Sequence, residues 1–260
     1  MCRDCGCGVG PQNETHDHDH DHGHAHDHSH VDDHPGGGTR TIEMRRRVLA
    51  HNDDLAERLR SEFTRRGVLA VNLMSGPGSG KTELLATTMS ALRDEWAVAA
   101  VTGDLATEND ATRLAATGCP SRQILTGTMC HLEADMLDDA IRDWDLNELD
   151  LLFIENVGNL VCPSDFDLGE QLRVMLVSTT EGEDKPLKYP TLTRSADVAV
   201  VSKVDLADAV GCDVDLLEKN LREVKPDIEI VRTSARTGEG LDAWVDLLIA
   251  EHRARLPLHE

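Results

Sequence analysis

SGPGSGKT, Ser75 to Thr82, is the stretch that most narrows what this chain can become. It follows a continuous apolar run, VLAVNLM (Val68 to Met74), and opens a helical pattern, KTELLATTMSALRDE (Lys81 to Glu95). A glycine-rich turn between a buried strand and a helix N-terminus cradles phosphate. Gly78 and Gly80 let the backbone curl so that its N–H groups converge on an anion. Lys81 can reach the β- and γ-phosphates of a nucleotide, and the Thr82 hydroxyl can bind Mg²⁺. Gly76, Pro77 and Ser79 complete the loop. The usual pattern, G-x4-G-K-[ST], begins with glycine, and here Ser75 stands in that place.

The rest of the chain repeats the alternation. Apolar runs at 97–102, 123–125, 149–155, 173–179, 196–202 and 228–234 read as strands. Helical patterns fill 109–118, 132–144, 213–224 and 241–253. A further helix is expected from Thr41 to Arg66, on the spacing of Val48, Leu55 and Leu59, with Gly67 ending it. Near-continuous apolar strands alternating with helices predict a three-layer α/β/α P-loop domain around a mostly parallel sheet. Strand order does not follow from the pattern. Residues 1–38, rich in Cys and His and closed by the flexible joint PGGG, cannot form a core. The expected division is therefore a disordered metal-binding tail, 1–38, and a nucleotide-binding domain, 39–260, entered through a helix at 39–66.

Two later segments bear on the base. SKVD, Ser202 to Asp205, follows a buried strand and approximates the [NT]-K-x-D motif of guanine-specific proteins. The Asp205 carboxylate can accept from N1–H and N2–H₂ of guanine, groups adenine lacks, while the Lys203 stem packs along the ring. Ser202 replaces Asn or Thr. One strand later, TSAR (Thr233 to Arg236) resembles the loop whose backbone N–H, at Ala235, meets guanine O6, with Ser234 beside it as a further candidate nucleotide-binding residue. Together these favour GTP and GDP over adenine nucleotides. Asp104 and Glu155 follow other strands and are candidates, with Thr82, for the Mg²⁺ shell, which needs only one or two carboxylates. Lys81, Thr82, Asp104 and Glu155 thus form the expected catalytic group. Gly158 is a candidate hinge.

Cysteine and histidine placement adds a second chemistry. Cys130 and His131 adjoin after a short strand, and Cys162 follows Glu155 by seven residues. Both segments leave the C-terminal edge of a parallel sheet, where ligands bind. Thiolate and imidazole suit Zn²⁺ or Ni²⁺, and inert buried cysteine is the plain alternative. Cys2, Cys5 and Cys7 offer three thiols at the chain start, suited to a square-planar nickel or copper site or to thiol redox chemistry. His16, His18, His20, His22, His24, His26, His28, His30 and His34 alternate largely with Asp. That tract is expected to buffer divalent ions weakly, and the interleaved Asp, Gly and Ala argue against a purification tag.

The formal net charge of −22 argues against nucleic acid as a partner. It fits a salt-rich cytosol or an ordinary acidic protein. With no secretory signal and no apolar run of membrane-spanning length, a cytoplasmic protein without membrane insertion is expected.

Taken together, MCRDCGCG, the His-rich linker, SGPGSGKT, GDLATENDA, ATGCPSRQILTGTMCHLEADM, LLFIENVGNLVCPSDFDLGE, STTEGEDKPLKYP, SKVD and SARTGEGLDAW resemble the HypB family of hydrogenase-maturation GTPases over nearly the whole chain. The urease accessory GTPases share the P-loop but use a different Cys-Pro-His motif. The resemblance implies slow GTP hydrolysis and a homodimer when GTP is bound. It also implies a nickel site at Cys2, Cys5 and Cys7, and a second metal site at Cys130, His131 and Cys162 near the dimer interface. Implied partners are a HypA-type nickel chaperone and the large-subunit precursor of a [NiFe] hydrogenase. Ser202 departs from the family's usual Asn. Rival readings are a nickel store with a regulatory G domain, another metallochaperone GTPase such as a urease accessory type, and a small-molecule P-loop kinase.

Overall fold

Strand β1, Leu69–Ser75, is buried along its entire length, as its unbroken apolar run requires of a strand covered on both faces. The other strands of the computed structural model, which describes residues 37–104 and 109–255, are β2 (Val98–Asp104), β3 (Ser121–Leu125), β4 (Leu151–Glu155), β5 (Leu172–Ser178), β6 (Val198–Ser202) and β7 (Glu229–Arg232). They form one seven-stranded sheet in the order β3-β2-β4-β1-β5-β6-β7. Every pairing is parallel. The helices are α1 (Gly37–Arg66), α2 (Lys81–Leu92), α3 (Asn109–Ala115), α4 (Ala134–Ile141), α5 (Lys185–Lys188), α6 (Pro190–Ser195), α7 (Ala207–Val210), α8 (Val214–Val224) and α9 (Leu241–Arg255).

Alternation along β1 assigns its two faces. Leu69, Val71 and Leu73 pack with Leu84, Leu85 and Met89 of α2 and with Trp244 and Leu248 of α9. On the other face Ala70 joins Ala56, Leu59 and Phe63 of α1 and Leu137 and Ile141 of α4. Farther along that face, Met74 meets Leu192 of α6 and Leu217 and Leu221 of α8. The layers are helix, sheet, helix.

Several elements differ from the sequence expectation. The buried stripe of α1 is Asn52, Ala56, Leu59 and Phe63, whereas Val48 is exposed. The i, i+4, i+7, i+11 spacing was present in the sequence but is led by a polar residue. Gly67, at φ 76°, does end α1. α4 begins at Ala134, with Glu133 at its N-cap, because the preceding residues form a loop. The segment 179–195 carries short helices that no apolar period signals, two of them opened by proline near the first turn. Among the described residues no helix is long and apolar enough to cross a membrane.

Candidate nucleotide and metal sites

Strands β1, β2 and β4 end side by side, so the P-loop, Asp104 and Glu155 arrive at one sheet edge. Together with Gly158 they border a cavity of about 420 Å³. Gly80, at φ 97°, turns the loop into α2. Ser75 is tied into the loop through its hydroxyl, which touches the Ser79 hydroxyl and accepts from Lys81 Nζ at 2.9 Å. The residue that departs from the usual pattern therefore anchors the loop lysine. Burial pulls the Lys81 ammonium below its usual range, and the Glu155 carboxylate opposes that pull. Glu155 Oε1 accepts from Thr82 Oγ1 at 2.6 Å, and Oε2 from Thr102 Oγ1 at 3.3 Å. Burial pushes the Glu155 carboxyl up, against the Thr82 hydroxyl and Lys81. A hydroxyl and a carboxylate converging at the mouth of an anion cradle are the hard oxygen donors that Mg²⁺ takes. Asp104 closes β2 and faces the same cavity. Gly158 passes so near the loop that a Cβ there would lie 3.1 Å from Pro77 Cα.

The SKVD segment begins on Ser202, the last residue of β6, and lies against the phosphate loop. Ser202 Oγ donates to the Ser79 carbonyl at 2.7 Å, and Lys203 Nζ donates to the Gly78 carbonyl at 2.6 Å. Lys203 holds a left-handed backbone, φ 57°, and its carbonyl accepts from Thr179 Oγ1 at 2.8 Å. Asp205 Oδ1 accepts from Ser234 Oγ at 2.6 Å, and Arg236 lies 3.6 Å from Oδ2. Ala235 follows Ser234 in the turn after β7. The structure thus brings Lys203, Asp205, Ser234 and Ala235 together beside the P-loop, and it turns Ser202 toward the loop backbone.

Cys130, His131 and Cys162 converge too, with ligand atoms all within 4.8 Å of one another. Cys130 Sγ lies 2.8 Å from Cys162 Sγ and 3.9 Å from His131 Nδ1. His131 and Cys162 are buried. The His131 ring stacks on Phe166, with centroids 3.8 Å apart, and its Nε2 meets Glu133 Oε1 at 3.3 Å. Burial lowers the imidazole pKa, partly offset by Glu133 and Asp165, which favours the neutral, metal-binding form. A carboxylate on Nε2 is the kind of partner that orients a ligating histidine, and it leaves Nδ1 on the side of Cys130 Sγ. Two sulfurs and a nitrogen suit Zn²⁺ or Ni²⁺ and leave a position open.

The two sites share a wall. Asn156, next to Glu155, accepts through Oδ1 from the backbone N–H of Leu132 at 3.2 Å, one residue past His131. Its Nδ2 donates to Asn72 Oδ1 on β1 at 3.4 Å. Because β2 lies between β3 and β4, the Cys130–His131 loop must cross the end of β2 to reach Cys162. It does so over Gly103, where a Cβ would sit 2.8 Å from Leu132 Cδ2.

Glu133, Phe166 and Asn156 escaped the sequence reading. Glu133 was detectable two places from His131, but Phe166 and Asn156 carry no local signal. Cys2, Cys5, Cys7 and the histidines from His16 to His34 lie outside the described residues.

The profile of the CobW/HypB/UreG nucleotide-binding domain matches residues 69–232. The hydrogenase maturation factor HypB of Escherichia coli K12 is 49% identical over 209 residues, covering 80% of this chain and 72% of that protein. The chain belongs to the HypB family. Two solved HypB structures have the same fold. That from Archaeoglobus fulgidus superposes with a TM-score of 0.74 at 41% identity, covering 78% of this chain and all (100%) of the other. HypB from Helicobacter pylori, solved in complex with nickel, gives 0.75 at 36% identity, covering 81% and 99%. HypB relatives match both the phosphate-loop half and the metal-loop half of the chain, since the aligned length spans most of the domain.

Proposed function

We propose that this chain is a nickel-carrying GTPase of hydrogenase maturation, in which nucleotide state governs the Cys130–His131–Cys162 centre. The observation that carries the reading is the Asn156 bridge: one side chain joins the segment holding Glu155 to the loop holding His131. Gly76 to Thr82 cradle the phosphates. Lys203, Asp205, Ser234 and Ala235 hold guanine. Thr82, Asp104 and Glu155 hold Mg²⁺, which when bound offsets phosphate charge during hydrolysis. Nickel is the cargo. Cys2, Cys5, Cys7 and the His16–His34 tract capture it first, and the inner centre, which also suits Zn²⁺, passes it on. The open ligand position, and the exposed Leu125 and Val161 on the two metal-bearing segments, fit a homodimer formed on GTP. In the cytoplasm the recipients are a HypA-type chaperone and the large-subunit precursor of a [NiFe] hydrogenase.

The test is nickel affinity measured with GDP and with a non-hydrolysable GTP analogue, for the wild type and Cys162→Ala. The wild type should bind nickel differently in the two states, and the variant should lose that difference together with the inner site. Equal affinities in the wild type would overturn the switch. By linkage, nickel at the inner site must also shift nucleotide affinity by the same factor.

A further inference from the structure

The buried stripe of α1 contains one polar side chain, Asn52, which is 5% exposed. Burying an amide is unfavourable unless its donor and acceptor are both matched. Here they are matched by two different segments. Asn52 Oδ1 accepts from the Ala134 N–H at 2.8 Å, and Nδ2 donates to the Asp167 carbonyl at 2.8 Å. Ala134 lies three residues after His131, and Asp167 five after Cys162. Those are the two segments carrying the thiols and imidazole, and they leave different strands, β3 and β4.

The amide therefore meets both halves of the metal centre at once. Its bond to Ala134 holds the N-terminus of α4, directly after Glu133, the residue that contacts His131 Nε2. Its bond to Asp167 holds the chain beyond Phe166, the ring on which His131 stacks. Arg60, eight residues along the same helix, grips the Cys162 side again through the Asp167 carboxylate and the Glu170 carbonyl. An apolar residue at position 52 would extend the Ala56–Leu59–Phe63 stripe and pack with no partner needed. The polar choice is accounted for by what it holds.

We propose that Asn52 is a positioning residue of the Cys130–His131–Cys162 centre, keeping its two halves in register from the helix that follows the Cys/His tail. This rests on the reading of that cluster as a nickel site. α1 thereby links the tail to the inner centre: any shift of the helix is felt by both ligand-bearing segments.

The experiment uses the full-length chain with Cys2, Cys5 and Cys7 replaced by alanine, so that thiolate-to-nickel charge-transfer absorption reports only the inner site. Nickel is titrated against a competing chelator, and GDP affinity is measured in parallel. Asn52→Ala should lower nickel affinity by about tenfold or more, as loss of outer-shell support does, and weaken the charge-transfer band. GDP affinity should stay within about twofold, because Asn52 touches neither the P-loop nor SKVD. Asn52→Asp retains the acceptor for Ala134 and loses the donor to Asp167. It should give an intermediate affinity, and it serves if the alanine variant does not fold. Wild-type nickel affinity and an unchanged band in Asn52→Asp overturn the proposal, as does a parallel loss of GDP binding, which marks a purely structural role. Absence of any charge-transfer band in the Asn52 parent refutes the nickel assignment itself and is distinguishable from both.

Discussion

Ser202, at the end of β6, and Asp205, just beyond it, have different partners. The Ser202 hydroxyl donates to the Ser79 carbonyl, whereas the Asp205 carboxylate is held by Ser234 at the expected guanine edge. Ser202→Ala should therefore weaken GTP and ATP alike, by about fivefold for one lost hydrogen bond of about 1 kcal/mol. Asp205→Asn should weaken GTP by about a hundredfold or more, since two charge-assisted bonds are lost. It should favour xanthine, whose C2 oxygen can accept from the new amide. Competition binding with the three nucleotides measures both, and a changed guanine preference in Ser202→Ala would put that hydroxyl at the base. Lys203 and Asp205 were legible because their spacing after a strand is local. The partner of Ser202 was not, because it lies 123 residues away. The same holds for Ser75, whose bond to Lys81 appears only once the loop has closed.

At the scale of elements, the segment after β4 carries the coupling in the proposed switch. Asn156→Ala leaves the Leu132 N–H and Asn72 Oδ1 without their partner, at a cost of about 1–3 kcal/mol for each group so exposed. The midpoint of thermal unfolding should fall by several degrees, roughly 2–4 °C per kcal/mol in a domain this size. Cys130, His131, Cys162 and Glu155, the proposed ligands, all remain, so nickel and GTP should both still bind. The ratio of nickel affinities between GDP and GTP-analogue states should drop toward one. A retained ratio would mean that the signal travels by another route, such as the packing of Leu132 over Gly103. The elements themselves were readable wherever burial imposes a period. Each long apolar run became a strand, and the parallel sheet followed from their alternation with helices. The segment 179–195 was opaque because its short helices are set by proline and by the Ser178–Glu181 capping contacts, not by an apolar face. Strand order was equally hidden. It decides which loops meet, and so the convergence of Cys130 with Cys162 could be expected only from both segments leaving the same sheet edge.

For the molecule as a whole, charge is the dominant non-local term. A net charge of −22 on 260 residues repels itself in the folded state. Salt shortens the range of that repulsion, to about 3 Å at 1 M. The unfolding midpoint should accordingly rise with sodium chloride well beyond physiological strength, as scanning calorimetry across a salt series would show. A falling midpoint would mean that ion pairs such as Arg232 with Glu218 and Asp215 outweigh the repulsion. The acidic bias was legible from composition alone, whereas its distribution over the surface depends on the fold. The sheet order carries one more consequence. β3 is the outermost strand on its side, and strands at a border open first. On the proposed function, an ion held by sulfurs from both the β3 and β4 segments laces that border to the interior, across the strand between them. Under that proposal, unloading is also an unfastening, and a recipient protein would meet a donor whose hem has just come loose.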